Sequence, residues 1–452
     1  MDIFSFLMLL AGLSFFLYGM NIMGSGLEKR AGSRLRGLLE KATSRPIKGV
    51  LLGTGVTSVI QSSSATTVMV VGFVNAGVLT LERTVGIIMG ANIGTTITAW
   101  ILSLTGIRST NILLQMFKPA NFSPILAAIG VVLVFFQKKE RQRDIGQTLL
   151  GFAILMFGME FMSGAVKPLG ELESFRSTLT LFSNPIIGVL VGTVFTAIIQ
   201  SSSASIGILQ AMSLSVNISF ATALPILMGQ NIGTCITALL SCVGANTDAK
   251  RAAFVHLYFN IIGVALFMAV FLVLKSLSLP IMAVPVNPVM IATFHTTFNV
   301  INTAIQLPFS NKLARLATIS IKSKGKDEIF QPLDDRLLST PSVAISQCRS
   351  LAVDMARLAK ETMADALSLI NKYDEDVAQK VEKGEEELDM YEDHLGTFLV
   401  KISARSLSEK DSNAASTILH SIGDFERIGD HAQNILESAK EMNDKIICFS
   451  PA

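Results

Sequence analysis

The chain has 452 residues, of which half are apolar and only 16% are charged. An average soluble domain carries about 25% charged residues, so this composition excludes a disordered or fibrous protein and argues against a wholly soluble enzyme. Its four cysteines form no CxxC pair, and no zinc or redox motif is predicted.

The net charge of +2 conceals two parts of opposite charge. Residues 1–329 hold 24 Lys and Arg against 12 Asp and Glu, whereas residues 330–452 hold 13 against 23. The chain is therefore predicted to divide near residue 330 into a basic, apolar part and an acidic, water-soluble part.

The apolar part contains uncharged stretches long enough to cross a bilayer, for which about 20 apolar residues suffice. Two other apolar stretches, 46–76 with Lys48 as its one charged residue and the uncharged 185–215, are interrupted by Gly, Ser, Thr and Gln. Polar backbone at membrane depth is tolerated only where it is buried in protein or lines a cavity, so both are interpreted as re-entrant hairpins. The predicted transmembrane helices are 3–23, 84–105, 122–137, 146–166, 221–243, 252–274 and 284–307.

The basic residues favour one orientation of these helices. With the N-terminus outside, 19 Lys and Arg fall on cytoplasmic segments and 5 fall on outer segments. The positive-inside rule therefore predicts a multi-pass protein of the cell's inner (cytoplasmic) membrane, with an external N-terminus and a cytoplasmic C-terminal domain.

An internal repeat relates the two halves of the apolar part. The sequence Gln-Ser-Ser-Ser-Ala at 61–65 recurs at 200–204, and Asn-Ile-Gly-Thr at 92–95 recurs at 231–234, both with an offset of 139 residues. Three predicted spans separate equivalent points, and an odd number inverts the second copy. We therefore predict an all-α polytopic fold of two inverted-topology repeats, 1–145 and 146–320, an arrangement typical of secondary transporters.

The repeated motifs carry groups that can bind an anion and Na⁺. Each Gln-Ser-Ser-Ser sequence offers three hydroxyls and an amide, and a half-helix that begins there presents free N–H groups and the positive end of its dipole. No Lys or Arg lies within these segments, which indicates that a co-bound cation neutralises the anion. Helix packing through small residues is the alternative, and the duplication in register disfavours it.

The candidate residues follow the two copies of each motif. Those predicted to bind the anion are Gln61, Ser62, Ser63, Ser64, Gln200, Ser201, Ser202 and Ser203. Those predicted to bind sodium or to gate the site are Asn92, Thr95, Thr96, Asn231 and Thr234. The Gly and hydroxyl content of 92–96 predicts a second helix break there.

The paired motifs closely resemble the type II sodium-dependent phosphate cotransporter family over roughly residues 1–310. The resemblance implies cotransport of Na⁺ and inorganic phosphate, with phosphate near 61–64 and 200–203 and the turns at 92–96 and 231–234 beside it. The second copy departs from the first at Cys235, which stands where the first copy has Thr96.

Residues 335–450 are predicted to form a cytoplasmic domain of three amphipathic helices, about 341–371, 374–402 and 408–440. The segment 426–435, Glu-Arg-Ile-Gly-Asp-His-Ala-Gln-Asn-Ile, resembles the PhoU family of phosphate-signalling proteins. That family typically has two such three-helix units, and one is present here. Glu426 and Asp430 share one helix face. The resemblance implies that they contribute to a divalent-metal site, and a solvated acidic face is the alternative.

These observations predict a sodium-coupled phosphate transporter that works by alternating access within a lipid bilayer, with no role in nucleic-acid binding. A membrane-embedded regulator that senses phosphate and signals through the C-terminal domain is the alternative. A channel is disfavoured because conduction needs no paired hydroxyl clamps. An enzyme is disfavoured because no nucleophile–base constellation is present. The oligomeric state and the direction of net transport are not predicted.

Overall fold

The computed structural model describes residues 3–40, 45–75, 77, 79–106, 118–168, 184–322, 333, 335–339, 341–405, 407 and 409–447. These residues are mostly helical, and among them β-structure is limited to one isolated bridge. The chain forms two compact units, Met1–Asp327 and Glu328–Ala452.

The helices of the first unit are numbered here in chain order. They are α1 (Ile3–Glu40), α2 (Pro46–Ile60), α3 (Ser63–Asn75), α4 (Leu81–Ser103), α5 (Pro119–Phe136), α6 (Glu140–Val166), α7 (Pro185–Ile199), α8 (Ser202–Ser215), α9 (Phe220–Gly233), α10 (Cys235–Ser241), α11 (Thr247–Ser276), α12 (Pro288–Gln306) and α13 (Ser310–Ser320).

Five stretches within the described residues are long and apolar enough to cross a membrane. They are Ile3–Leu27, Leu81–Gly106, Glu140–Val166, Phe220–Ser241 and Thr247–Ser276, and each overlaps a predicted span. The predicted span at 122–137 corresponds to a shorter apolar helix, Asn121–Phe136. The predicted span at 284–307 corresponds to α12, which is neither one of these five long stretches nor one of the shorter apolar helices.

Each predicted hairpin stretch consists of two helices separated by a short break. The first break lies at residues 61–62, between α2 and α3, and the second lies at residues 200–201, between α7 and α8. Gln61 and Gln200 end the preceding helices with φ angles of 60° and 58°. A residue in this left-handed region ends an α-helix and turns the chain, at a steric cost for any side chain other than glycine. The path of either stretch across a membrane remains a prediction.

The predicted break at 92–96 is wrong, because α4 runs through these residues without interruption. Asn92, Thr95 and Thr96 each donate to a backbone carbonyl three or four residues earlier, at 2.9, 3.0 and 2.7 Å. Gly94 instead allows α2 to approach, since a Cβ there would lie 2.7 Å from a carbonyl oxygen of α2. In the second repeat the equivalent helix is interrupted at Thr234, between α9 and α10.

Glycines bring equivalent helices into the same close contact in both repeats. A Cβ at Gly53 would lie 2.0 Å from the carbonyl oxygen of Ile87, and one at Gly192 would lie 2.1 Å from that of Ile226. Only glycine permits backbones to approach so closely. Helix α2 therefore packs on α4, and α7 packs on α9, through positions related by the offset of 139.

Helices α1 and α6 are also related by this offset, and they pack on each other. A Cβ at Gly12 would lie 3.0 Å from the carbonyl oxygen of Gly158, and one at Gly19 would lie 2.6 Å from that of Gly151. As residue numbers rise along α1, those of the contacting residues on α6 fall, so the two helices run antiparallel. Gly151 and Gly158 are themselves the equivalents of Gly12 and Gly19, and such reciprocal contacts are the pattern of a two-fold relation.

The second unit contains three long helices, α14 (Pro341–Asn371), α15 (Glu375–Ser403) and α16 (Glu409–Asp444). These bounds agree with the three predicted helices to within a few residues. Asp374 caps α15, because its carboxylate accepts from the N–H groups of Asp376 and Val377. Buried aliphatic residues from all three helices, such as Ala366, Val381 and Leu436, form the core.

Candidate functional site

Hydrogen bonds tie the first break to its neighbouring helices. Gln61 is buried, its Oε1 accepts from Thr98 Oγ1 at 2.9 Å, and its Nε2 donates to the carbonyl of Ser58. Thr57 Oγ1 donates to Thr66 Oγ1 at 2.9 Å across the break. These side-chain bonds connect α2 with α3 and α4, and they fix the position of the first motif.

The first serine of each motif caps the half-helix that follows it. Ser62 Oγ accepts from the N–H of Ala65 at 3.1 Å, and Ser201 Oγ accepts from the N–H of Ala204 at 3.2 Å. The first N–H groups of a helix have no intrahelical acceptor. Each break therefore presents a half-helix N-terminus whose N–H groups and dipole attract an anion.

The other serine hydroxyls of the motifs differ in their hydrogen bonding. Ser63, Ser202 and Ser203 are buried, and within the described residues their hydroxyls form no hydrogen bond. Ser64 Oγ lies 3.4 Å from the backbone carbonyl oxygen of Gln200. This contact brings the two breaks together, so all eight predicted anion-binding residues lie at two adjoining helix breaks.

The predicted sodium or gating residues are less directly connected to the motifs. Asn231 Nδ2 donates to the carbonyl of Leu227 at 3.0 Å, and Asn299 Nδ2 on α12 approaches Asn231 Oδ1 at 3.4 Å. Thr234 Oγ1 donates to the carbonyl of Gln230 at 3.0 Å. Across the described residues, no hydrogen bond joins the five predicted side chains to either Gln-Ser-Ser-Ser motif.

Among the described residues, the α4 side chain that is hydrogen-bonded to a motif is Thr98, which sequence reasoning did not include in the site. Thr57 and Thr66 were also missed. A single threonine within an apolar run carries no chemical signal of its own. The signal lay in the repeat, because the offset of 139 pairs Thr98 with Thr237 and Thr57 with Thr196.

In the second unit, Glu426 and Asp430 on α16 face acidic residues of α15. Carboxylate oxygens of Glu385, Asp389 and Asp430 lie within 4.8 Å of one another. Partial burial and the neighbouring negative charges raise the pKa values of Glu385 and Glu426. Clustered carboxylates of this kind suit a hard divalent cation, although exposed acidic groups are common without one. The divalent-metal site remains a prediction.

The apolar helices within the described residues are those of a multi-pass membrane protein. Residues 15–164 and 165–285 match the model of the Na⁺/Pi-cotransporter family, and residues 352–439 match the PhoU domain. The first two matches cover more than half of the chain. The chain therefore belongs to the Na⁺/Pi-cotransporter family and carries a C-terminal PhoU domain.

Several known proteins are similar to this chain. YqeW of Bacillus subtilis (strain 168) is 33% identical over 311 residues, which are 69% of this chain and 96% of that protein. The Escherichia coli (strain K12) protein named "Putative inorganic phosphate export protein YjbB" is 25% identical over 93% of this chain and 76% of its own length. Human sodium-dependent phosphate transport protein 2B is 34% identical over 31% of this chain and 21% of its own length. No solved structure was found to match the chain.

Proposed function

We propose that the protein is a sodium-coupled transporter of inorganic phosphate that holds its substrate between the two breaks. The observation that carries this proposal is the contact between Ser64 and the carbonyl of Gln200, because two anion-attracting helix N-termini meet there. A phosphate ion has four oxygens and needs several donors at once. The unpartnered hydroxyls of Ser63, Ser202 and Ser203 and the N–H groups beside them supply such donors.

Sodium coupling follows from the charge of the ligand and the absence of charge in the site. No Lys or Arg occurs from Gly49 to Leu81 or from Ser177 to Thr247. A bound phosphate anion would therefore remain uncompensated unless a cation entered with it. Hydroxyl, amide and carbonyl oxygens line both breaks and are suitable ligands for Na⁺. The family to which the chain belongs is consistent with this coupling.

We also propose that the two repeats are inverted across the membrane and exchange access to the shared site. The antiparallel, reciprocal packing of α1 and α6 supports this arrangement, because it relates equivalent helices by a two-fold rotation. Alternating access then consists of one repeat moving against the other around the bound substrate.

The test is phosphate flux in proteoliposomes that contain the purified protein. An inward Na⁺ gradient should drive accumulation of ³²P-labelled phosphate, and replacing Na⁺ with K⁺ should abolish it. Reversing the gradient measures efflux, which is relevant because the name of YjbB refers to export. Phosphate flux that is indifferent to Na⁺ would contradict the coupling, and excess sulfate tests the selectivity.

The match to the PhoU domain favours a second candidate function, a membrane regulator that responds to phosphate. The same preparation separates the two functions. A transporter gives Na⁺-driven flux that exceeds one phosphate per protein molecule. A regulator binds phosphate without flux, and binding changes the proteolytic protection of residues 341–444.

A further inference from the structure

The second break contains the same hydroxyl groups as the first, but it lacks their hydrogen bonds. Thr196 and Ser205 are the equivalents of Thr57 and Thr66 at the offset of 139. The Thr57–Thr66 bond closes the first break at 2.9 Å. Both Thr196 Oγ1 and Ser205 Oγ are buried and have no hydrogen-bond partner in the part of the chain that the structure describes.

The motif glutamines differ in the same way. Thr98 holds Gln61, which is buried, through a bond of 2.9 Å. The Oγ1 of its equivalent, Thr237, is buried and finds no hydrogen-bond partner within the described ranges. Gln200 is exposed, and among the described residues its hydrogen bonds involve only its backbone.

Chance does not readily explain this pattern. A buried hydroxyl without a partner is unfavourable, and a helical threonine ordinarily donates to the carbonyl three or four residues earlier. The three groups left without partners at the second break are the equivalents of the three hydroxyls that are bonded at the first. The first break is therefore closed and the second is open, with the groups needed to close it already buried beside it.

Building on the proposed transport function, we propose that Thr98 and Thr237 are positioning residues that alternately hold the two motif glutamines. In the described state, Thr98 holds Gln61. In the opposite state, Thr237 holds Gln200 and Thr196 bonds to Ser205, while the bonds at the first break open. Each state then has one closed and one open break, as alternating access around one site requires.

Two nearly isosteric variants test this proposal, because they remove one hydroxyl each. Thr98→Val weakens only the described state, whereas Thr237→Val weakens only the opposite state. The reporters are cysteines at Ala65, which is exposed in the described state, and at Ala204, its buried equivalent. Full-length protein in lipid nanodiscs without phosphate is labelled with a thiol reagent, and each site is quantified by peptide mass spectrometry.

Thr98→Val should raise labelling at position 204 relative to position 65 by about fivefold, the effect of one neutral hydrogen bond. Thr237→Val should lower that ratio by a similar factor. Thr84→Val is the matched control, because Thr84 is buried and bonds within its own helix to the carbonyl of Leu81, and it should leave the ratio unchanged. Shifts in the same direction, or no shift in either variant, would overturn the proposal.

Transport kinetics give an independent readout that a purely structural role would not move. Thr237→Val should slow maximal phosphate flux severalfold while phosphate affinity in the described state stays within about twofold, and Thr237→Ser should restore the flux. Normal Na⁺-driven flux with an unmoved labelling ratio would refute the alternating glutamine contacts and leave the transport function intact. If the labelling ratio rises in Thr98→Val and falls in Thr237→Val but the wild-type protein shows no phosphate flux, the alternating contacts are supported and the transport function is refuted.

Discussion

Ser64 and Gln200, 136 residues apart in the chain, approach to 3.4 Å between the serine hydroxyl and the glutamine carbonyl oxygen. Each belongs to one copy of the repeated motif, and each lies beside a half-helix N-terminus. The contact therefore joins two anion-attracting helix ends that belong to different repeats. A ligand bound there would contact both repeats, which is the condition for coupling their movements.

The first prediction concerns the free serine hydroxyls at these helix ends. Ser63→Ala and Ser202→Ala each remove a donor without removing a helix cap. Each should weaken phosphate binding by about ten- to a hundredfold, because a hydrogen bond to a charged group contributes about 1.5–3 kcal/mol. Equilibrium binding of ³²P-labelled phosphate to purified protein in saturating Na⁺ measures the effect.

The matched control for these variants is Ser103→Ala. Ser103 is buried like the motif serines, but its hydroxyl donates to the carbonyl of Trp100 in its own helix at 2.7 Å. Its loss should leave phosphate affinity within about twofold. Wild-type affinity in either motif variant, in protein that remains monodisperse, would refute a phosphate site shared by both breaks.

The sequence predicted the two breaks because Gly, Ser and Gln interrupt apolar stretches at equivalent positions. It did not predict the left-handed glutamines, since side-chain pattern carries little information on backbone φ at a residue other than glycine. The prediction of a break at 92–96 was wrong because polar residues within an apolar helix can donate to the preceding turn, as Thr95 and Thr96 do. The role of Thr98 depends on a partner 37 residues away, which local pattern cannot reveal.

The second prediction concerns the C-terminal unit. Deleting 335–452 should leave Na⁺-dependent phosphate binding within about twofold of wild type, because both breaks lie in the separate compact unit Met1–Asp327. Loss of binding in a truncated protein that inserts and stays monodisperse would mean that the C-terminal unit contributes to the site.

The third prediction concerns orientation and depends on the 19-to-5 distribution of basic residues. Ser174 and Ser323 both lie outside the described residues, and the sequence assigns them to opposite sides. Ser174→Cys in intact cells should react with an impermeant thiol reagent, whereas Ser323→Cys should react only after permeabilisation. Peptide mass spectrometry distinguishes these sites from the native cysteines. The opposite pattern would reverse the predicted topology.

The fourth prediction concerns the acidic cluster of the PhoU domain. The pKa of Glu426 is raised in the folded protein, so its stabilising contribution is complete below the ordinary carboxyl pKa and is lost as pH rises through the raised value. Glu426→Gln should therefore stabilise the unit at pH 7. The expected gain in free energy of unfolding is small and similar to that of a charge pair on a protein surface. The advantage should disappear at pH values below the ordinary carboxyl pKa.

Labelling of Cys348 measures this effect, because burial raises the pKa of its thiol to about 12 and protects it until the unit opens. At pH 7, labelling should be about twofold slower in Glu426→Gln than in wild type. Asp424→Asn removes a charge from the opposite face of α16 and should have no such effect. The metal-site prediction adds that Mn²⁺ slows labelling in wild type but not in Asp430→Asn, and equal slowing in both would refute it.

The fifth prediction separates the side chains of the motif glutamines from their backbone conformation. Glycine adopts the left-handed region without strain, so Gln61→Gly and Gln200→Gly should preserve both breaks while removing the side chains. Both variants should reduce Na⁺-driven phosphate flux by at least about tenfold.

The stabilities of these two variants should differ, because Gln61 is buried and accepts from Thr98, whereas Gln200 is exposed. Gln61→Gly leaves the Thr98 hydroxyl without its partner and should lower the unfolding temperature, while Gln200→Gly should not. Gln200→Ala provides the backbone comparison, since alanine in a left-handed position costs about 1–2 kcal/mol relative to glycine. Wild-type flux in Gln200→Gly would exclude the Gln200 side chain from the transport cycle, and the alternation of Gln61 and Gln200 would then be untenable.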